Sequence, residues 1–295
     1  MFKESPRVVK IESKRRQRTL ARQVDVAGFG FWTGIDVVYS LLPAEENSGV
    51  RFYRNDLENA PDIPASVKNR VNKPRQTSLA VAGAQVDMVE HLLAALRAAR
   101  IDNCDVVVTA AEAPGLDGSC KTFLEKILEA GYIEQDSDRT LLKIEKKGRI
   151  CWDGGAWFEV APNDEDGTVY NYTLFYDVPC PIPNQNASFD LSASPECFLQ
   201  EIAPCRTFLT LKEAQELRAM GVCQRVTVQN ALVFAQDGIV GNSLRFENEC
   251  ARHKLLDMVG DFALAPVDWI GNFRAYKTGH QQNAQMLSAL LDICE

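Results

Sequence analysis

The chain has 295 residues, 46% hydrophobic and 24% charged, with a net charge of -8. That length can bury a large core and make two domains, and the composition is that of an ordinary soluble globule. The acidic balance excludes an overall basic field for nucleic acid, and no apolar run is long enough to cross a bilayer.

The N-terminus carries Lys3, Arg7, Lys10, Lys14, Arg15, Arg16 and Arg18 without an apolar core segment. It is therefore not a secretory signal, and residues 1–16 read as a short mobile tail. Residues 24–34 read as a strand entering a glycine-rich turn. Gly28, Gly30 and Gly34 do not have the dinucleotide spacing, and residues 37–42 look like another strand, so no nucleotide cofactor is expected. Residues 55–76 form a loop or irregular hairpin.

Residues 87–100 predict a helix with Asp87 as N-cap and Val89, Leu92, Leu93 and Leu96 as its core stripe. Glu90 and His91 lie off that stripe. The plain reading of Glu90 is a capping partner for Asp87. A strand over 105–109, a turn over 112–119 and a helix over 120–130 follow. The polar run 136–139 reads as the boundary between a first domain, 17–137, and a second, 138–295.

The second half opens with strand patterns at 141–144, 156–160 and 168–176, then a proline-rich loop at 179–183. A short amphipathic helix (211–220), a short strand (225–228), a long helix (244–264), a strand (272–277) and a closing helix (281–292) complete it. Strands and helices without strict alternation indicate an α+β fold. Each half has a histidine-bearing helix followed by a strand, a hint of duplicated architecture.

The long helix carries the chemistry. Leu255, Leu256, Val259, Phe262 and Ala263 form its apolar stripe, while His253, Asp257 and Asp261 stack one turn apart on one face. A bare aspartate is costly in an apolar helix, and imidazole plus carboxylate at i, i+4 suits zinc. A surface hydrogen-bonded pair is the plain alternative. Only His91, His253 and His280 exist in the chain, and all three are expected to meet at one zinc site. The nine cysteines are scattered without a Cys-x-x-Cys pair, which favours neither a cysteine zinc site nor disulfides and suits a reducing cytoplasm.

Several motifs occur in a specific order: Met88-Val-Glu-His-Leu-Leu-Ala-Ala-Leu, Ile101-Asp-Asn103, Leu116-Asp-Gly-Ser119, Ala203-Pro-Cys-Arg-Thr-Phe208, Leu244-Arg-Phe-Glu247, Arg252-His-Lys-Leu-Leu-Asp257, Gly260-Asp261 and Lys277-Thr-Gly-His280. From about residue 17 to 283 the chain closely resembles the LpxC family, the UDP-3-O-acyl-N-acetylglucosamine deacetylases of lipid A synthesis. The resemblance implies two α+β domains of similar topology with the active site between them. It implies Zn2+, or Fe2+ in its place, on His91, His253 and Asp257, with Glu90 as general base. Thr207 matches a hydroxyl donor to the oxyanion, His280 the imidazolium that steadies it and protonates the amine, and Asp261 the carboxylate that orients His280. Phe208 matches a residue packing on the sugar and Lys254 a lysine lining the site. Residues 209–230 match an insert forming an acyl passage, with Leu211, Leu217 and Met220 as candidate lining.

The implied substrate is a UDP-linked acylated amino sugar, UDP-3-O-(3-hydroxyacyl)-N-acetylglucosamine, handled by a cytoplasmic monomer. Two departures bear on substrate binding. Trp32 stands where the family's turn has histidine in His-Thr-Gly, and Arg225-Val226 stand where it has Gly-Gly. These leave a related deacetylase for another acylated amino sugar as an alternative, and a non-catalytic zinc or sugar-nucleotide binder as a third.

Overall fold

The computed structural model describes residues 2–294. Met1 and Glu295, the ends of the expected tail and second domain, lie outside them. The fold is α+β, with six α-helices among the described residues: α1 (Glu90–Ala98), α2 (Lys121–Ala130), α3 (Pro195–Glu201), α4 (Leu211–Ala219), α5 (Glu249–Phe262) and α6 (His280–Cys294).

The first unit is built on a five-stranded sheet in the order Val24–Phe29, Asp36–Pro43, Cys104–Val108, Val50–Arg54, Ile63–Pro64. Only the pairing of Cys104–Val108 with Val50–Arg54 is parallel. The second unit is a seven-stranded mixed sheet around Asp268–Tyr276. That strand runs antiparallel to Trp157–Ala161 on one edge. It also pairs in parallel with Leu141–Lys146 through residues 268–270 and with Thr168–Leu174 through residues 271–276. Alternation buries Trp269, Phe273 and Ala275 under α5, where Phe262 stacks on Phe158 at 5.3 Å and meets Phe273 edge-on at 5.4 Å.

The units meet where α1 packs against α5. Gly260 makes this approach possible. A Cβ there would lie 2.1 Å from the Glu90 carbonyl oxygen, so only glycine lets the two backbones come this close. Behind the crossing, charges bridge the units. Arg15 reaches Asp102 at 2.6 Å and Asp268 at 2.8 Å, Arg97 reaches Asp268 at 2.6 Å, and Arg139 lies 3.1 Å from both aspartates.

Several expectations are corrected. Arg7–Ile11, expected within a mobile tail, is a strand paired antiparallel with Leu141–Lys146. It satisfies the backbone groups of that strand's open edge while Arg7 and Lys10 face solvent. The polar run 136–139 is not a loop. Tyr132–Asp138 is a strand in a two-stranded ribbon with Arg16–Leu20, whose exposed faces suit polar side chains, and Arg139 enters the buried ion network. Asp87 does not cap α1. Its backbone pairs with residues 111 and 113 and its carboxylate takes Lys73 and Gln85, so the helix begins after a left-handed Met88. α5 begins at Glu249 rather than 244, because the Glu249 carboxylate accepts from the Arg245 N–H and folds the approach segment back. Residues 225–228 are not a strand, since Asn230 Oδ1 captures both the N–H and the hydroxyl of Thr227 in a local turn.

Candidate active site

The α1–α5 crossing places His91 on one helix against His253 and Asp257 on the other, all buried. Their potential ligand atoms lie within 4.8 Å of one another. Nε2 of His253 is 3.5 Å and Nε2 of His91 is 3.7 Å from Asp257 Oδ1. Three ligands at 2.0–2.1 Å from a tetrahedral ion would be separated by about 3.4 Å, and both imidazole–carboxylate distances are close to that. Two further observations fit a cation. Asp257 Oδ1 is buried without a hydrogen-bond partner, which is costly unless something else satisfies it. The His253 Nδ1 lies 3.0 Å from the Cys205 carbonyl, which can only accept, so that nitrogen carries the proton and Nε2 presents its lone pair.

Electrostatics agree. Burial, with Asp257 opposing it, pushes His253 down to about 4, so the imidazole is neutral and able to ligate at pH 7. Burial opposes ionisation of Asp257, but Lys254, 2.7 Å away, outweighs it and holds the carboxyl well below its usual range.

Glu90 opens α1 and is buried beside His91. Its carboxylate accepts from the Thr77 N–H at 2.9 Å, so the capping role through Asp87 does not exist. Burial raises its pKa, with His280 and His91 pulling the other way. His280 opens α6, and its Nε2 lies 3.9 Å from both Glu90 and Asp257. Burial and the positive end of α6 both oppose its charge. The Asp261 carboxylate, 3.0 Å from Nδ1, prevails and raises it to about 9.

Three residues that the sequence reading missed complete this arrangement. Thr77 Oγ1 donates to Asp261 Oδ1 and Asn283 Nδ2 donates to Asp261 Oδ2. Thr278 in turn donates to Asn283. Asn283 follows His280 at i+3 on α6, a spacing that could have signalled it. Thr77 arrives from a distant hairpin and carries no local signal.

Thr207, Phe208, Lys254 and Trp32 all line a cleft of about 800 Å3 that opens onto the ligand set. The Phe208 ring meets His253 edge-on at 6.0 Å. The segment carrying Thr207 and Phe208 is fixed by the buried Arg206–Glu249 pair at 2.8 Å. Glu112, also missed, holds the glycine-rich turn by accepting from the N–H groups of Trp32 and Thr33 and the Thr33 hydroxyl. The cleft wall also carries the apolar side chains of Leu209, Leu211, Leu217, Val226 and Val233. Met220 is exposed and lies outside that wall.

Arg225 is not brought to the cleft. Its guanidinium bonds the Gly34 carbonyl at 2.6 Å and Asp36 at 2.7 Å, over the Phe29 ring, so it pins the turn from outside while Val226 faces inward.

A metal-ready donor set beside an acid of raised pKa and a charged imidazole is chemistry for hydrolysis, and metal-dependent hydrolase is the class that fold and site define. The family model described as LpxC, UDP-3-O-acyl N-acetylglycosamine deacetylase, matches residues 17–292. A UDP-3-O-acyl-N-acetylglucosamine deacetylase of Actinobacillus succinogenes is 36% identical over 94% of this chain and 90% of its own length. Proteins of the same name from Brucella melitensis and Brucella ovis are each 35% identical over 93% of this chain and 95% of theirs. The chain belongs to the LpxC family.

Proposed function

We propose that this chain removes the N-acetyl group of UDP-3-O-(3-hydroxyacyl)-N-acetylglucosamine by hydrolysis, releasing acetate, as a step of lipid A synthesis. The observation that carries the reading is the pairing of Glu90 and His280 at 3.9 Å on the edge of the His91, His253, Asp257 set. A base and a charged acid side by side serve turnover, not metal retention.

Zn2+ suits the donor set, Fe2+ is compatible with it, and such an ion would supply Lewis-acid polarisation of the carbonyl and acidification of water. The protein residues supply the proton transfers. Glu90 removes a proton from water as its oxygen bonds to the acetamide carbon. The Thr207 hydroxyl and the imidazolium of His280 meet the negative charge that gathers on the carbonyl oxygen. His280 then gives its proton to the nitrogen as the carbon–nitrogen bond breaks, leaving acetate and a free amine. Asp261, fixed by Thr77 and Asn283, keeps His280 charged and aimed. Phe208 packs on the sugar, Lys254 lines the site, and the apolar side chains of the cleft wall take the acyl chain. The work is assigned to a cytoplasmic monomer; no helix among the described residues is long and apolar enough to cross a membrane.

A second reading, a deacetylase for another acylated amino sugar, draws support from Trp32, whose indole occupies cleft wall. A substrate panel decides between them. Acetate release fastest from UDP-3-O-(3-hydroxyacyl)-N-acetylglucosamine supports the first, and preference for a different sugar supports the second.

A further inference from the structure

At the C-terminal end of α1, opposite the end that carries Glu90 and His91, lies a recess of about 210 Å3 lined by Lys14, Arg15, Arg97, Arg100 and Arg139. Three carboxylates answer these five cations. Asp102 and Asp268 are shared among Arg15, Arg97 and Arg139. Asp166 is shared between Lys14 and Lys143. The C-terminal end of α1 contributes only about half a negative charge. More than one positive charge is therefore left over in a protein whose net charge is -8.

The surplus centres on Arg100. Among the described residues it has no carboxylate partner, and its guanidinium bonds only the Ser192 carbonyl, at 2.9 Å. Burial, then Arg15 and Arg18, push its pKa down. Arg100 also sits just past α1 with φ 57, a conformation glycine adopts without penalty and arginine does not. The position thus costs backbone energy that a glycine would avoid, while delivering a guanidinium head to the recess. The Ser192 hydroxyl lines it too. Its oxygen accepts from the Thr168 N–H, which leaves its own proton free to donate. The volume holds a tetrahedral oxyanion with several waters.

We propose that this recess is a binding site for a phosphate-class dianion, held by Arg100 and its neighbouring arginines and bracing the two units behind the α1–α5 crossing. Bidentate guanidinium–phosphate contacts are the chemistry that recognises it.

The test is titration of the full-length protein with inorganic phosphate at constant ionic strength, read by calorimetry and by the melting temperature. Saturable binding at about 1 mM or tighter is expected. Arg100→Gln should weaken it at least tenfold while deacetylase activity stays within about twofold of wild type, because Arg100 touches neither cleft nor ligand set. Asp166→Asn, which removes a competing surface carboxylate, should tighten it severalfold. Absence of saturable binding, or binding unchanged in Arg100→Gln, overturns the proposal. So does binding abolished by Lys254→Met but not by Arg100→Gln, which would place the ion in the catalytic cleft.

Discussion

Thr77 Oγ1 lies 2.5 Å from Asp261 Oδ1, while the Thr77 N–H lies 2.9 Å from Glu90 Oε2. One residue therefore ties the proposed base, Glu90, to the carboxylate that charges His280. Thr77→Val keeps the N–H and loses the hydroxyl. It should lower kcat by about 10- to 100-fold with KM little changed, and Thr77→Ser should restore most of the loss. Steady-state kinetics on the two variants check this. Equal losses in both would show that only packing matters at 77.

Gly260 sets the distance between the helices that carry His91 and Asp257. A methyl group there meets the Glu90 backbone at 2.1 Å, which no rotamer can relieve. Gly260→Ala should destabilise the fold by about 1–3 kcal/mol and, by moving His91 away from Asp257, weaken metal binding. Denaturant unfolding and metal content of the purified variant measure the two effects.

The pH profile follows from the opposed states of Glu90 and His280. The proposed mechanism needs Glu90 ionised and His280 protonated. Burial raises Glu90, so activity should fall on the acid side as it gains its proton. Asp261 holds His280 up to about 9, so activity should fall again as the pH rises through that value. Asp261→Asn should bring the alkaline limb down by about one pH unit or more. A limb that stays in place would assign it to another group.

Asp268 gathers Arg15, Arg97 and Arg139. Burial opposes its charge, but the three arginines outweigh burial and depress its pKa. A carboxylate with a depressed native pKa stabilises the fold above its unfolded value near 4, and that contribution is lost as the pH falls below it. Asp268→Asn should cost about 3–5 kcal/mol at pH 7, because three guanidiniums lose a shared partner. The difference from wild type should shrink in unfolding curves recorded toward pH 3.

The helix that carries the candidate ligands was legible because three polar side chains, His253, Asp257 and Asp261, recur at one-turn spacing on an otherwise apolar element. His91 and His280 were legible because the chain has so few histidines and the ordered motifs frame them. Thr77 and Glu112 were not, because hydrogen bonds across long stretches of sequence leave no local pattern. Strand Arg7–Ile11 was hidden by its charges. An edge strand needs only one covered face, so basic residues in it resemble a tail. Asp87 was misread because capping preference is local, whereas pairing with residues 111 and 113 is tertiary. Arg225 was assigned to the substrate by its place in the motif, and only the fold shows that Asp36 and Gly34 claim it first.

The most direct measurement is single-turnover release of acetate by wild type and Glu90→Gln, with metal bound per chain determined on the same samples. Wild type should turn over, and Glu90→Gln should be slower by about a hundredfold or more at equal metal content. Comparable rates in the two proteins would contradict Glu90 as the base and, with it, the account of this site.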